Sequence, residues 1–183
     1  HLMEILISCI TDGKRMPKDF MNKSLQRVSN PQSFNEDWEL SKATSITCSI
    51  INKYIYDTKG MNYSMSLDIS NKDRSYLYGR LLAVADRVEY RTYDRDKDGA
   101  RVTNAKRYMS VFSKRPYDTW RNIEEKIQPY MQKLSVAERN YYTKELNKIM
   151  GMLSSEVFTK NTPLDGLYLL GFHHESYDLK NPN

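Results

Sequence analysis

The sequence predicts an all-α protein, a helical bundle of seven or eight helices. Apolar residues recur at steps of three and four, and no alternating run is long enough to indicate a strand. Glycine and proline are scarce, seven and six among 183 residues, and they fall between the periodic segments. We expect a single helical domain over residues 4–183, with residues 1–3 interpreted as a cloning remnant.

The first third of the chain predicts three helices. A short apolar helix is expected around residues 5–10, and Pro17 suits the first turn of a second helix over residues 18–28. After Asn30-Pro31, a long helix is predicted over about residues 36–58, because its apolar residues keep helical spacing. Gly60 follows that helix, as glycine often does at a helix end.

The middle of the chain predicts two helices joined by a charged loop. The first covers about residues 72–93, and Ser70 or Asn71 is positioned to cap it. One apolar stripe runs along this helix, which indicates a face packed in the core. The stripe consists of Leu77, Leu81, Val84 and Val88. A second helix is predicted over residues 102–112.

The last third predicts three more helices. Pro116 starts one that extends to Leu134, with Pro129 ending or kinking it. Ser135 and Glu138 have the spacing of a capping box, so another helix begins there. Thr162-Pro163 opens the final helix, which runs to about Tyr177.

The net positive charge is concentrated in one segment of 35 residues, from Arg87 to Arg121. This segment holds ten basic and five acidic residues, a surplus equal to the net charge of +5 of the whole chain. Arginine, which can bind phosphate through two parallel hydrogen bonds, is the majority. Arg80 precedes the segment on the same helix face. We therefore predict one groove that contacts a polyanion, and the alternative is a solvated charged face. The predicted nucleic-acid contacts are Arg80, Arg87, Arg91, Arg95, Lys97, Arg101, Lys106, Arg107, Lys114, Arg115 and Arg121.

Of the fourteen tyrosines, those at positions 90, 93 and 108 lie in the part of this basic segment that joins the two predicted basic helices. Aromatic rings beside cations can stack on unpaired bases, so Tyr90, Tyr93 and Tyr108 are candidates for that role. The alternative is that they are boundary residues with buried rings and solvated hydroxyls, as most tyrosines in a helical bundle are.

The sequence gives little support for a metal-binding site or a catalytic site. The stretch from Asp94 to Gly99 opens like a calcium-binding loop, but Ala105 stands where such a loop needs a bidentate glutamate. His173 and His174 are adjacent, so they point about 100° apart on a helix and cannot comfortably chelate one metal. We expect no catalytic residue, no cofactor, no metal and no small-molecule substrate.

The two cysteines, Cys9 and Cys48, lie among apolar residues and outside any CxxC pattern, so both are expected in the core. No apolar run approaches the ~20 residues that would span a bilayer. A cytoplasmic protein without a membrane partner is therefore expected.

Several short stretches resemble the large subunit of type I-C CRISPR Cascade complexes. Gly79-Arg80-Leu81-Leu82-Ala83-Val84 looks like a helix of that family, and Asn104-Ala105-Lys106-Arg107-Tyr108 looks like its segment ending in Arg-Tyr. Ser113 and Pro116 precede a long helix, as in the family. Leu170-Gly171-Phe172-His173-His174-Glu175 resembles its closing segment, although Phe172 and His173 replace tyrosines and Glu175 replaces a glutamine. The resemblance covers roughly residues 75–175.

This resemblance implies the C-terminal region of the large subunit, a helical domain similar to the small subunit of Cascade. Such a region would hold the displaced strand or R-loop DNA through backbone contacts. It would also contact other Cascade subunits and the guide RNA complex. DNA cleavage would belong to a recruited helicase-nuclease. Two alternatives stay open: a purely structural module docking on protein or on the guide-bound filament, and a metal-dependent hydrolase using His173 and His174.

Overall fold

The computed structural model describes residues 2–12, 14–28, 37–59, 66–93 and 102–180. Over these residues it contains eight helices of ten residues or more, one helix of four residues, and no strand. The predicted all-α class is therefore confirmed. The chain divides into two compact units, His1–Met65 and Ser66–Asn183. Whether residues 4–183 behave as a single domain stays a prediction.

The first unit consists of three helices, α1 (Leu2–Thr11), α2 (Lys18–Val28) and α3 (Asp37–Lys59), close to the predicted boundaries. Both α1 and α2 contact α3. The two cysteines lie in the core of this unit, as predicted. The connection between α1 and α2 is tied to α3, because the amide of Met16 donates to Asp57 Oδ2 at 2.7 Å.

The described residues of the second unit form six helices. Their bounds are α4 (Arg74–Arg91), α5 (Asn104–Lys114), α6 (Pro116–Lys133), α7 (Val136–Met150), α8 (Ser155–Phe158) and α9 (Leu167–Lys180). The short helix α8 was not predicted from the sequence. Helix α9 begins about four residues later than predicted. Asp165 accepts from the amide of Leu167 and marks the true start.

Helix α4 is the centre of the second unit, because α5, α6, α7 and α9 all contact it. Every residue from Ser75 to Ala85 is buried, including the predicted stripe members in that range, and Val88 is buried one turn further on. The stripe is thus confirmed, but α4 buries its other faces as well. A helix surrounded on several sides needs apolar or internally paired residues all round.

Two glycines allow α4 and α9 to touch backbone to backbone. A β-carbon on Gly79 would lie 1.8 Å from the carbonyl oxygen of Tyr168, and one on Gly171 would lie 2.0 Å from the carbonyl oxygen of Tyr76. Neither position can therefore hold a side chain without separating the helices. The two sequence stretches that carry the strongest family resemblance meet at this crossing.

The α4–α9 crossing encloses a polar pair that corrects one site prediction. Arg80 has no exposed surface, and its Nε donates to Glu175 Oε2 at 2.6 Å. A side chain without exposed surface cannot contact a polyanion, so Arg80 belongs to the core and not to the predicted interface. Its Nη1 and Nη2 atoms have no hydrogen-bond partner among the described residues. Burial raises the pKa of the Glu175 carboxyl, against the opposing effect of the Arg80 charge.

His174 lies beside this pair and is buried as well. Tyr76 Oη accepts the amide of Asp68 at 3.1 Å, which leaves its own proton for Nδ1 of His174 at 3.0 Å. Burial, together with the charge of His173, lowers the pKa of His174 to about 4. The ring is therefore neutral at pH 7.

The helix ends show which local signals were reliable. Ser135 and Glu138 form the predicted capping box at the start of α7. Helix α4 is capped by Asp73, which accepts from the amides of Ser75 and Tyr76, and not by Ser70 or Asn71 as predicted. Pro129 does not end α6, because the helix continues to Lys133.

Candidate nucleic-acid interface

The candidate nucleic-acid interface lies where the C-terminal end of α4 meets the N-terminal end of α5. Glu89 is buried on α4, and its carboxylate accepts from the amide of Asn104 at 2.7 Å and from the side chain of Asn104 at 3.0 Å. One turn earlier, Asp86 accepts from Thr103, the residue that caps α5, at 2.5 Å. Tyr78 near the start of α4 also contacts Phe112 near the end of α5, so the two helices run antiparallel. The basic residues at the end of α4 and at the start of α5 therefore lie at the same end of the helix pair.

Four predicted contacts lie at this junction, and we call them the basic end: Arg87 and Arg91 on α4, and Lys106 and Arg107 in the first turn of α5. Arg91 and Arg107 are exposed, and Arg87 and Lys106 are half-buried. Within the described part of the chain, no carboxylate forms an ion pair with Arg87, Lys106 or Arg107. The basic end therefore presents cations that the surrounding helices do not neutralise.

Arg91 differs from the other three because it has an internal partner. Its Nη2 donates to Oε1 of Glu138, the capping-box residue of α7, at 2.6 Å. The hydrogen bonds from Arg91 and then from Ser135 lower the pKa of the Glu138 carboxyl to about 2. Both side chains are partly exposed, so this contact is open to competition from other anions.

Three further predicted contacts lie away from the basic end. Lys114 is the last residue of α5 and Arg115 follows it, about 12 Å along the helix from Lys106 at 1.5 Å per residue. Arg115 already pairs with Asp118 at 2.7 Å. Arg121 is exposed near the start of α6. The predicted set therefore does not converge on one place: four of its described members lie at the basic end, and these three lie near the end of α5 and the start of α6.

The loop that joins α4 to α5 carries the last three predicted contacts. Arg95, Lys97 and Arg101 lie outside the described residues, together with the Asp94–Gly99 stretch that opens like a calcium loop. Their roles stay predictions.

Helix α6 adds cations and a ring that the sequence analysis missed. Lys126, Tyr130 and Lys133 follow one another at steps of four and three, so they share one face of the helix. The Nζ of Lys126 lies 6.0 Å from the ring centroid of Tyr108 on α5, and the Nζ of Lys133 lies 5.6 Å from the ring centroid of Tyr130. The spacing of two lysines on either side of a tyrosine is visible in the sequence. It was missed because the segment chosen for its surplus of basic residues ended at Arg121.

The three candidate tyrosines occupy different environments around the basic end. Tyr90 is 41% exposed, whereas Tyr93 and Tyr108 are half-buried. Tyr93 forms a ring contact with Tyr90 at 6.5 Å and another with Tyr130 at 6.3 Å between centroids. The aromatic cluster therefore bridges α4 and α6 next to Arg91.

The histidines present no metal-binding geometry in the described part of the chain. His174 is buried with Nδ1 bonded to Tyr76, and the adjacent His173 ring lies 6.2 Å away and tilted by 54°. Nowhere among residues 2–12, 14–28, 37–59, 66–93 and 102–180 do three His, Cys, Asp or Glu side chains group as a metal site would require. No described helix combines the length and apolar character needed to cross a membrane.

These features define a helical protein with a cationic, aromatic-lined junction between two antiparallel helices. The chain belongs to the CRISPR-associated protein family Csd1, whose family model matches residues 1–180. No curated protein matches the chain in sequence. The match confirms the CRISPR-associated family predicted from the resemblance, and the assignment to subtype I-C stays a prediction.

Proposed function

We propose that this chain is a non-catalytic part of a Cascade surveillance complex that holds a single-stranded or R-loop DNA backbone at the basic end. The observation that carries this proposal is the convergence of Arg87, Lys106 and Arg107, which have no described acidic partner, from two antiparallel helices. Contacts of this kind bind phosphates and carry little sequence information. This suits a component that must hold any displaced strand, and a cytoplasmic location follows from that role.

The proposal predicts a particular dependence on salt. If about four phosphates are neutralised, log K for a single strand falls with log salt at a slope of about −3. The measurement is fluorescence anisotropy of a labelled 20-nucleotide strand over a range of salt concentrations. Binding that does not change with salt would contradict the proposal. An isolated chain can bind weakly, because neighbours in a complex raise the effective concentration.

An assembly role is the main alternative, and the pairing of Arg91 with Glu138 favours it, since this cation of the basic end is already engaged within the chain. In that case the basic end would dock on protein or on the guide-bound filament. Reversing the charge of Lys106 and Arg107 separates the two roles. Lost strand binding with normal assembly supports the proposal, whereas lost assembly with normal strand binding supports the scaffold.

A further inference from the structure

We propose that Tyr90 is the ring on which an unpaired base stacks, with Tyr93 and Tyr130 as the scaffold that positions it. This inference rests on the proposed function and adds the feature that would distinguish a single strand from a duplex. It also selects one ring from the three candidate tyrosines, Tyr90, Tyr93 and Tyr108.

Tyr93 is fixed in place by the same carboxylate that joins α4 to α5. Its Oη donates to Oε1 of Glu89 at 2.5 Å, and Glu89 is buried and bonded to Asn104. The edge of the Tyr93 ring also meets Tyr130 of α6 at an interplanar angle of 73°. Because contacts to Glu89 of α4 and to Tyr130 of α6 fix Tyr93, it is a rigid neighbour and not a ring that can swing out to a base.

Tyr90 lies against this fixed ring but keeps much of its surface in solvent. Its ring is tilted by 53° to that of Tyr93, and 41% of the residue is exposed. A ring held by a rigid neighbour loses little conformational entropy when a base stacks on it. Tyr108 is less suited, because it is half-buried.

The position of Tyr90 places the ring among phosphate-binding groups. It directly precedes Arg91 in α4 and lies three residues after Arg87, so a ring and two cations share the last turns of one helix. A nucleotide offers a flat base and a charged phosphate, and this arrangement offers a surface for each. Bases in a duplex already stack on one another, so only an unpaired base can use the ring.

The test compares three variants on a 20-nucleotide single strand and on a duplex of the same sequence. Tyr90→Leu removes the aromatic face, Tyr90→Phe keeps it, and Tyr177→Leu removes an exposed tyrosine of α9 as the matched control. We expect Tyr90→Leu to weaken single-strand binding roughly tenfold, in the range of one lost stacking contact. Its salt slope and its duplex affinity should stay at wild-type values, and the other two variants should bind like wild type.

A second measurement does not depend on a substitution. Ultraviolet cross-linking of the wild-type protein to a strand containing 5-iodouracil, followed by peptide mass spectrometry, should place the cross-link at Tyr90. Cross-links that omit Tyr90, or a Tyr90→Leu variant that binds single strands like wild type, would overturn the stacking inference and leave the proposed function standing. An equal loss on single strand and duplex would also overturn it. Wild-type protein that binds neither ligand would instead defeat the proposed function, and the inference with it.

Discussion

Glu138 illustrates how one carboxylate can serve both a helix end and a binding surface. It completes the capping box of α7 with Ser135 and also accepts from Arg91 at 2.6 Å. A phosphate arriving at the basic end would have to replace this carboxylate as the partner of Arg91. The internal pair therefore lowers the affinity for a polyanion while it holds Arg91 in place.

Replacing this carboxylate should strengthen binding. Glu138→Gln keeps a residue type that can complete a capping box but removes the charge that competes for Arg91. We expect a several-fold gain in single-strand affinity and a salt slope steeper by about 0.7, corresponding to one more phosphate contact. Anisotropy titrations at several salt concentrations measure both. Glu125→Gln, the same change at an exposed position of α6, serves as the control. Equal affinities for both variants and wild type would show that Arg91 does not contact the strand.

At the scale of the elements, the α4–α9 crossing explains both a success and a failure of prediction from sequence. The apolar spacing along α4 is a local property, so its boundaries and its buried stripe could be predicted. The burial of Arg80 could not, because it depends on α9, which lies about 90 residues further along the chain. Gly79 and Gly171 bring α9 onto the face that carries Arg80, and Glu175 supplies its partner.

The close approach of these helices predicts a large penalty for a small substitution. Gly79→Ala would place a methyl group 1.8 Å from the carbonyl oxygen of Tyr168, so the helices must separate. We expect a loss of about 3 kcal/mol in the free energy of unfolding, measured by urea denaturation. Gly151→Ala is the matched control, since its φ of −64° is helical and its added carbon would lie 3.2 Å from the nearest atom. Similar losses at the two positions would argue against backbone contact at the crossing.

The buried ring of His174 predicts how stability depends on pH. Its pKa is about 4 in the folded chain and about 6.5 when unfolded, so the unfolded state takes up a proton first as pH falls. The contribution is complete above pH 6.5 and is lost progressively as pH falls through 4, for a total of about 3 kcal/mol. His174→Asn can still accept from Tyr76 but cannot titrate. We expect this variant to be less stable at pH 7 and its stability to change less between pH 6.5 and 4.

Denaturation curves at several pH values measure this difference. His173→Asn is the comparison, because burial also lowers the pKa of His173 but its ring is only half-buried. A His174→Asn curve parallel to that of wild type over this interval would show that another group controls the acid sensitivity.

At the scale of the whole molecule, the fold class and the family could be predicted from the sequence, but the interface could be predicted only in part. Charge counting identified the segment that contains Arg87, Lys106 and Arg107. It could not separate them from Lys114, because the helix boundaries alone do not show which end of α5 packs beside the end of α4. The contribution of α6 was also missed, since Lys126 and Lys133 belong to a different stretch of sequence and packing brings Lys126 to Tyr108 of α5.

The most direct test of the account compares charge reversal at the two ends of α5. Lys106→Glu with Arg107→Glu changes the basic end, and Lys114→Glu with Arg115→Glu makes the same change about 12 Å away on the same helix. Circular dichroism would verify that both double variants keep the helical content of wild type. For the variant at the basic end, we predict that single-strand affinity falls at least tenfold and that the slope of log K against log salt becomes shallower by more than about 1. The variant at the other end of α5 should bind like wild type. Equal losses for both variants, or a loss confined to the second, would contradict a binding surface centred on the junction of α4 and α5.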